Sequence, residues 1–302
     1  MIKFIREVNR QNYKKKVFYI FFFIIVLNLI KYIKINEKQL KICLCAIGKN
    51  ENLYVKEFVE HYKKLGYNKI FIYDNNDING ERFEDIISDE IKIGFVSIIN
   101  YRGLTYVQIQ SYEDCYRKNN LTYNWLSFFD FDEFLVVKPH NIKIQNFLNN
   151  KRYRYCENIK INWIFYNNLK ILYYESKPLK KRIFQSKIEN RHIKSTVRGN
   201  LSINYWLKAE NPHSGNRFNS CSSSGKMIDS VSPFNDPPDI RYAYLIHYYF
   251  KSFEEYCYKF KRGKPDQYNY DLFMQIRKFY QENKYDINKL NIMNKAFNLT
   301  FK

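Results

Sequence analysis

Apolar residues recur along the chain in two alternating rhythms. LKICLCAI, Leu40 to Ile47, is a short β-rich run. The polar Gly48-Lys49-Asn50-Glu51 follows it, and then Leu53, Val55, Phe58, Val59, Tyr62 and Leu65 recur at helical spacing up to Gly66. This spells a strand, a loop and a helix. KIFIYDN (Lys69 to Asn75), broken by the polar NNDING turn, and GFVSIINY (Gly94 to Tyr101) continue the strand rhythm, and Tyr106 to Asn119 suits another helix. NWLSFFDFDEFLVV is apolar too continuously for an edge strand with one wet face, so it is expected to be a central strand. Such alternation predicts an α/β domain on an open, mostly parallel sheet with helices on both faces, where ligands bind at the carboxyl ends of the strands. Lys49-Asn50-Glu51, Asp74-Asn75 and Asp130-Asp132-Glu133 all fall at predicted strand ends.

Beyond Pro139 the alternation weakens. ENIKINWIFY (Glu157 to Tyr166) and Tyr242 to Phe250 read as strands, and Phe253 to Phe279 as an amphipathic helix packed on the domain. Between them Asn211 to Asp239 collects Pro212, Gly215, Gly225, Pro233, Pro237 and Pro238 among serines and asparagines. Irregular segments of that length commonly serve as lids or acceptor-binding surfaces.

The run FFDFDEFL, Phe128 to Leu135, sets three carboxylates among phenylalanines. On a continuous strand Asp130 and Asp132 would share one face, with Phe129 and Phe131 on the other. Two acids that close raise each other's pKa, and burying them is costly unless something cationic sits between them. A divalent metal, held by one or two carboxylates plus substrate phosphates as Mg²⁺ and Mn²⁺ are, meets that requirement.

Composition adds a partner class and a membrane. The 302 residues carry 50 Lys+Arg against 30 Asp+Glu, a formal charge of +20. That fits nucleic acid, an anionic membrane surface or a phosphorylated substrate, and it fits equally a compositional bias toward Lys, Asn, Ile and Tyr. Cys43, Cys45, Cys115, Cys156, Cys221 and Cys257 lack the paired spacing of a structural zinc site, and suit buried thiols or a disulfide alike. VFYIFFFIIVLNLI, Val17 to Ile30, is uncharged and follows Lys14, Lys15 and Lys16. Extended through Ile33 with Lys31 snorkelling, it approaches the roughly 20 residues a bilayer needs. No small-residue cleavage site follows. The expected organisation is a basic tail at 1–16, cytosolic by the positive-inside rule, a single-pass anchor at 17–33, a short linker at 34–40 and the folded domain at 41–302.

The fragments CLCAIGKNENLYVKEFVEHYKKLGYNKIFIYDN, QSYEDC (Gln110 to Cys115), WLSFFDFDEFL, Lys194-Ser195 and HYYFKSFEEYCYKFKRG from His247 resemble glycosyltransferase family 92, in order and approximate spacing over most of residues 41–264. The resemblance implies a GT-A fold, a nucleotide-sugar donor, a glycan acceptor, a divalent cation (Mn²⁺ or Mg²⁺) and inverting transfer of a hexose. Galactose is the sugar best associated with the family's animal members. Carried over residue by residue, Asp130 and Asp132 are the D-x-D that holds the metal against the donor diphosphate. His247, in the late H-Y-x-x-K-S motif, is the third protein ligand, with Lys251 near the phosphates. Asn50, Glu51 and Asp74 match the segments where GT-A enzymes hold the nucleoside. Glu133 belongs to the acidic motif but points to the opposite face if the strand persists. One departure is that the family often shows Phe-Gly after the tryptophan of its fifth strand, where Trp163 is followed by Ile164-Phe165-Tyr166.

Plainer readings stand beside these. Glu51 suits a helix-start carboxylate, Asp74 a turn former, Lys251 a solvated side chain and His247 a core histidine, with His213 a rival ligand. The base that deprotonates the acceptor is not identified by spacing among Glu175, Glu189, Glu210 and Asp239. The competing class is a non-enzymatic, membrane-tethered binder of polyanions or sugars, which has no use for an aspartate pair at a strand end. Nucleic acid is not an expected partner. In a eukaryotic cell the topology implies a Golgi lumenal enzyme; in a bacterium, an inner-membrane-associated domain facing cytosolic nucleotide sugars.

Overall fold

The expected alternation is present in β1 (Ile42–Gly48), α1 (Asn52–Leu65), β2 (Lys69–Asp74), α2 (Glu84–Lys92), β3 (Val96–Asn100) and α3 (Gln108–Asn119). Strand β1 is buried along its whole length and divides its side chains between two cores. Ile42, Leu44 and Ala46 join Val55, Phe58, Val59 and Tyr62 of α1 in the larger core; Cys43, Cys45 and Ile47 join Tyr112, Cys115 and Tyr116 of α3 in the other. Helices therefore cover both faces, as the continuous apolar pattern of β1 requires. Gly66 ends α1 in a left-handed cap, at φ 101°.

This computed structural model describes residues 40–167, 171, 173–183, 186–201, 211–213, 218–229 and 231–262, with residues 19, 22, 23, 25 and 26. The chain divides into two units, Met1–Gln39 and Leu40–Lys302. In the first unit the described residues are helical, and Tyr19, Phe22, Phe23 and Ile25 are exposed. Most of the expected anchor at 17–33 lies outside the described residues, and no helix among those described is long and apolar enough to cross a membrane.

The second half has the expected strands near 157–166 and 242–250 and a helix starting at Phe253, but departs from expectation in its sheet. It continues with β4 (Trp125–Phe128), β5 (Glu133–Val137), α4 (Ile144–Leu148), β6 (Asn158–Asn167), α5 (Leu179–Arg182), β7 (Ser186–Arg198), β8 (Ser220–Cys221), β9 (Ala243–His247) and α6 (Phe253–Lys261). The sheet order is β3-β2-β1-β4-β7-β6-β9-β5, with β8 beside β6. Only the β3-β2-β1-β4 part is wholly parallel, because β7 runs antiparallel to β4 and β6, and β5 antiparallel to β9. The sheet is mixed rather than mostly parallel. Strand β7, SKIENRHIKSTVR, has too few apolar residues to be read as a strand, yet Lys194, Ser195 and Thr196 are buried in it. Residues 263–279 of the expected last helix lie outside the described residues.

The predicted central strand NWLSFFDFDEFLVV is two strands separated by a turn at residues 129–132. A local exchange ends β4: the Glu133 N–H donates to the Asp130 carbonyl at 3.0 Å, and the Asp130 N–H to Glu133 Oε2 at 2.9 Å. Strand pairing stops there, yet Phe129 and Phe131 still both enter the larger core. Gly48 leaves room for this, since a Cβ at that position would lie 2.4 Å from the Phe131 ring.

Two disulfides staple the domain. Cys45–Cys115 ties β1 to α3 and Cys156–Cys221 ties the approach to β6 to β8, while Cys43 and Cys257 are free and buried. The paired cysteines stand 70 and 65 residues apart, which leaves no local signature. By loop-closure entropy each bridge contributes roughly 4 kcal/mol. A thiol reagent applied in denaturant without reductant should label two of the six cysteines, and reductant should lower the melting temperature. Labelling of all six in protein purified from an oxidising compartment would refute the pairing.

Candidate functional site

The ends of β1, β4 and β9 meet at a cavity of about 190 Å³. Gly48 reaches it from the end of β1, Glu51 from the β1–α1 loop, Asp130 and Asp132 from the β4–β5 turn, and His247 from the end of β9. Trp163 of β6, His213, Lys259 of α6 and Arg262 complete its charged and aromatic walls. The turn thus replaces strand alternation as the device that carries two acids to one place.

Each acid already has a cation. Lys194 Nζ donates to Asp130 Oδ2 at 2.8 Å and stands 3.9 Å from Glu133; Lys259 Nζ donates to Asp132 Oδ2 at 2.6 Å. Burial alone would raise both aspartate carboxyls, but Lys194 holds Asp130 below its usual value, and Lys259 with His247 holds Asp132 well below it. Burial dominates at Glu133, whose carboxyl is pushed well above the ordinary range. Burial also lowers His247, and brings His213 down to about 3, so both rings are neutral at pH 7.

The residues singled out from sequence separate into two groups. Glu51, Asp130, Asp132 and His247 line the cavity. Asp74 does not. Its carboxylate accepts from Arg102 at 2.7 Å and from the Asn76 backbone and amide, and Arg102 in turn holds the carbonyls of Asp77, Gly80 and Glu81. Asn50 sits in the left-handed region at φ 53°, where its carbonyl accepts from Arg262 at 2.9 Å. Lys251, also left-handed at φ 50°, is buried over the Tyr54 ring and 3.7 Å from Glu51. Of the four candidate bases, Glu175, Glu189 and Asp239 lie away from the cavity, and Glu210 is outside the described residues. Asp239 instead accepts from Ser222 and Ser224. Lys194, Lys259, Arg262 and Trp163 lie in segments that carry the family resemblance but were given no role from sequence, and Gln108 carries no signal there.

The donor set fits a divalent ion in part. Asp132 Oδ1 and His247 Nε2 are 3.5 Å apart, long for a hydrogen bond. That is close to the ~3.0–3.4 Å between adjacent ligands at ~2.1 Å from one ion. Asp130 is more fully engaged, accepting from Gln108 and Tyr112 as well as Lys194. Among the described residues no three His, Cys, Asp or Glu side chains converge on one point. Asp132 and His247 therefore suit an ion whose remaining ligands are phosphate and water oxygens.

A cavity at strand ends lined by acids, cations and aromatic rings is where an α/β domain of this kind holds a ligand. The chain belongs to glycosyltransferase family 92, whose family model matches residues 38–228. Relatives include a family 92 protein of Ricinus communis, 25% identical over 115 residues covering 38% of this chain and 20% of the relative. One of Arabidopsis thaliana is 29% identical over 114 residues, covering 33% and 17%. The chain thus spans about a fifth of the length of these curated relatives. Among solved structures it is similar to S. aureus TarS, at TM-score 0.36 and 8% identity over 72% of this chain and 38% of that one. TarS 1–349 in complex with UDP gives TM-score 0.35 and 9% identity over 44% and 38%.

Helix α6 must hold its place for Lys259 to reach Asp132. It is anchored by a buried pair in which Arg182 donates twice to Glu255 at 2.5 Å, with Tyr54 donating to the same carboxylate. Burial opposes the charge on Glu255, but the Arg182 hydrogen bonds and charge bring it from 4.5 to about 2. A carboxyl depressed on folding stabilises above its unfolded value and loses that contribution as pH falls through about 2; the difference is about 3 kcal/mol. Glu255→Gln should therefore cost about 3 kcal/mol at pH 7, and the gap to the parent should narrow below about pH 4. Urea denaturation across that range measures it; a gap independent of pH would show that the ion pair is not the anchor.

Proposed function

We propose that residues 41–302 transfer a hexose from a nucleotide sugar to a glycan acceptor with inversion, assisted by a divalent ion. The observation that carries this reading is the charge arrangement at the cavity. Three carboxylates, Glu51, Asp130 and Asp132, face four cations, Lys194, Lys251, Lys259 and Arg262. Cations gathered at the cavity suit a diphosphate, whose charge they can share with the acids they already hold. Lys259 and Arg262, rather than the more deeply placed Lys251, line the cavity and take the phosphate-facing role.

In the transfer, the acceptor oxygen attacks the anomeric carbon from the face opposite the diphosphate. The bond from that carbon to the phosphate oxygen breaks, the nucleoside diphosphate leaves with the electron pair, and the hydroxyl proton passes to a base. Lys259 and Arg262 oppose the charge that develops on the leaving group, in a site whose burial strengthens the effect. An ion at Asp132 and His247, with Asp130 beside them, would add Lewis-acid charge there. Galactose is the first sugar to try.

A screen of UDP- and GDP-sugars with and without Mn²⁺, reading both acceptor product and hydrolysis, tests the proposal. Asp132→Asn should lower transfer by about 10²–10³-fold. It should also abolish the thermal stabilisation that donor plus Mn²⁺ gives the parent. Transfer at the parental rate by that variant would refute the assignment. The rival reading, a domain that binds sugar without transferring it, is favoured by one observation: among the described residues the cavity's acids are all ion-paired, so none is a free base. Donor binding without product would establish it.

The same proposal includes a single-pass anchor at 17–33 and a lumenal domain in a eukaryotic host. The basic leading flank supports this, as do two disulfides of the kind that persist in oxidising compartments. In intact microsomes the C-terminus should resist added protease; digestion without detergent would overturn the lumenal placement.

A further inference from the structure

Buried polar atoms without partners gather at this cavity. Among the described residues nine buried side-chain atoms lack a hydrogen-bond partner, and four of them, Glu51 Oε2, Trp163 Nε1, His213 Nδ1 and His247 Nδ1, belong to residues that line it. An orphaned buried donor or acceptor is destabilising, and native structures keep few of them unless a ligand completes the set. Three of the four are ring nitrogens on one wall. The Trp163 ring meets the edge of His247 at 4.3 Å and of His213 at 5.5 Å between centroids.

The rings that carry these orphans are themselves held firmly. Trp163 is only 8% exposed and stacks on His192 at 4.9 Å. The backbone of His213 is fixed by Ser195 Oγ, which donates to its carbonyl at 2.7 Å, and by its own N–H, which donates to Asn211 at 3.0 Å. The chemistry of the orphans narrows the ligand. An indole N–H only donates, whereas a neutral imidazole nitrogen accepts or donates according to tautomer. Hydroxyl groups satisfy both. At about 190 Å³ the cavity falls below the ~300 Å³ of a typical small-molecule pocket. It suits one ring and its phosphate, not a whole nucleotide sugar.

We propose that Trp163 and His213 form the subsite for the pyranose ring of the donor and select the sugar by its hydroxyls. Its place follows from Trp163 touching His247, which stands 3.5 Å from Asp132; a ring joined to a diphosphate at Asp132 comes within reach of the indole N–H and the His213 ring. The inference rests on the transferase reading above, and its test separates the two.

The measurement is calorimetric binding of UDP-galactose, UDP-glucose and GDP-mannose, each beside its bare nucleotide, with Mn²⁺ present. The parent should bind one sugar nucleotide more tightly than the nucleotide alone. Trp163→Phe, which keeps an aromatic ring but no donor, and His213→Phe should each weaken that sugar nucleotide by about tenfold while leaving the bare nucleotide within about twofold. Melting curves establish that each variant is folded, and His213→Phe carries the test if Trp163→Phe is not. Equal losses for nucleotide and sugar nucleotide, or parental discrimination in folded variants, would overturn the subsite alone. A parent that binds no member of the panel would overturn the transferase reading and the subsite with it.

Discussion

The site depends on one physical condition: two neighbouring carboxylates, Asp132 buried and Asp130 half-buried, stay ionised only if cations are brought to them. An unpaired buried carboxylate costs several kcal/mol, and a second one nearby adds repulsion. The chain meets this with lysines from far along its length, Lys194 for Asp130 and Lys259, 127 residues away, for Asp132. Much of the second half follows from that need. Strand β7 lies antiparallel beside β4, with Ser127 opposite Thr196, and this register sets Lys194 against the turn that follows β4.

The turn meets a packing constraint as well as an electrostatic one. Asp130 and Asp132 can project into the cavity because Phe129 and Phe131 are both drawn into the larger core, where Phe131 lies 4.7 Å from Phe58 and 5.3 Å from Phe83 between ring centroids. The apolar residues that suggested a strand are in effect the two anchors of a tight loop. Gly48 at the end of β1 is the complementary requirement, since any side chain there would meet the Phe131 ring.

The first hundred residues of the domain were legible because each element there repeats one simple period. Positions 42 to 47 alternate between two cores, and Val55, Phe58, Val59 and Tyr62 mark one helix face. The acidic cluster was legible as chemistry but not as geometry, because the exchange between Asp130 and Glu133 that breaks the strand uses only backbone groups and one carboxylate. Strand β7 was illegible for the opposite reason: its buried positions are polar, and Lys194 resembles any surface lysine until its partner is known. The disulfides and the cation set of α6 join residues many tens of positions apart. Single-sequence patterns carry no such pairing. Asp74 shows the limit of motif transfer, because a strand-end carboxylate satisfied by Arg102 organises a loop instead of facing the cavity.

The attachment of α6 bears on how ligand binding and stability are coupled. Lys259 holds Asp132 and Arg262 holds Glu51, yet the helix is fastened independently through Glu255, Arg182 and Tyr54. Its cations can therefore share an arriving diphosphate with the acids they already hold, without the helix leaving its place. Had Lys259 and Arg262 been the only attachments, an anion competing for them would have loosened the wall that binds it. With a separate anchor the same anion adds contacts to a fixed element, and its binding free energy appears as stabilisation of the folded domain. The anchor and the cations share one helix but not one task, which is why the buried Arg182–Glu255 pair and the cavity-lining lysine coexist within a few residues of chain.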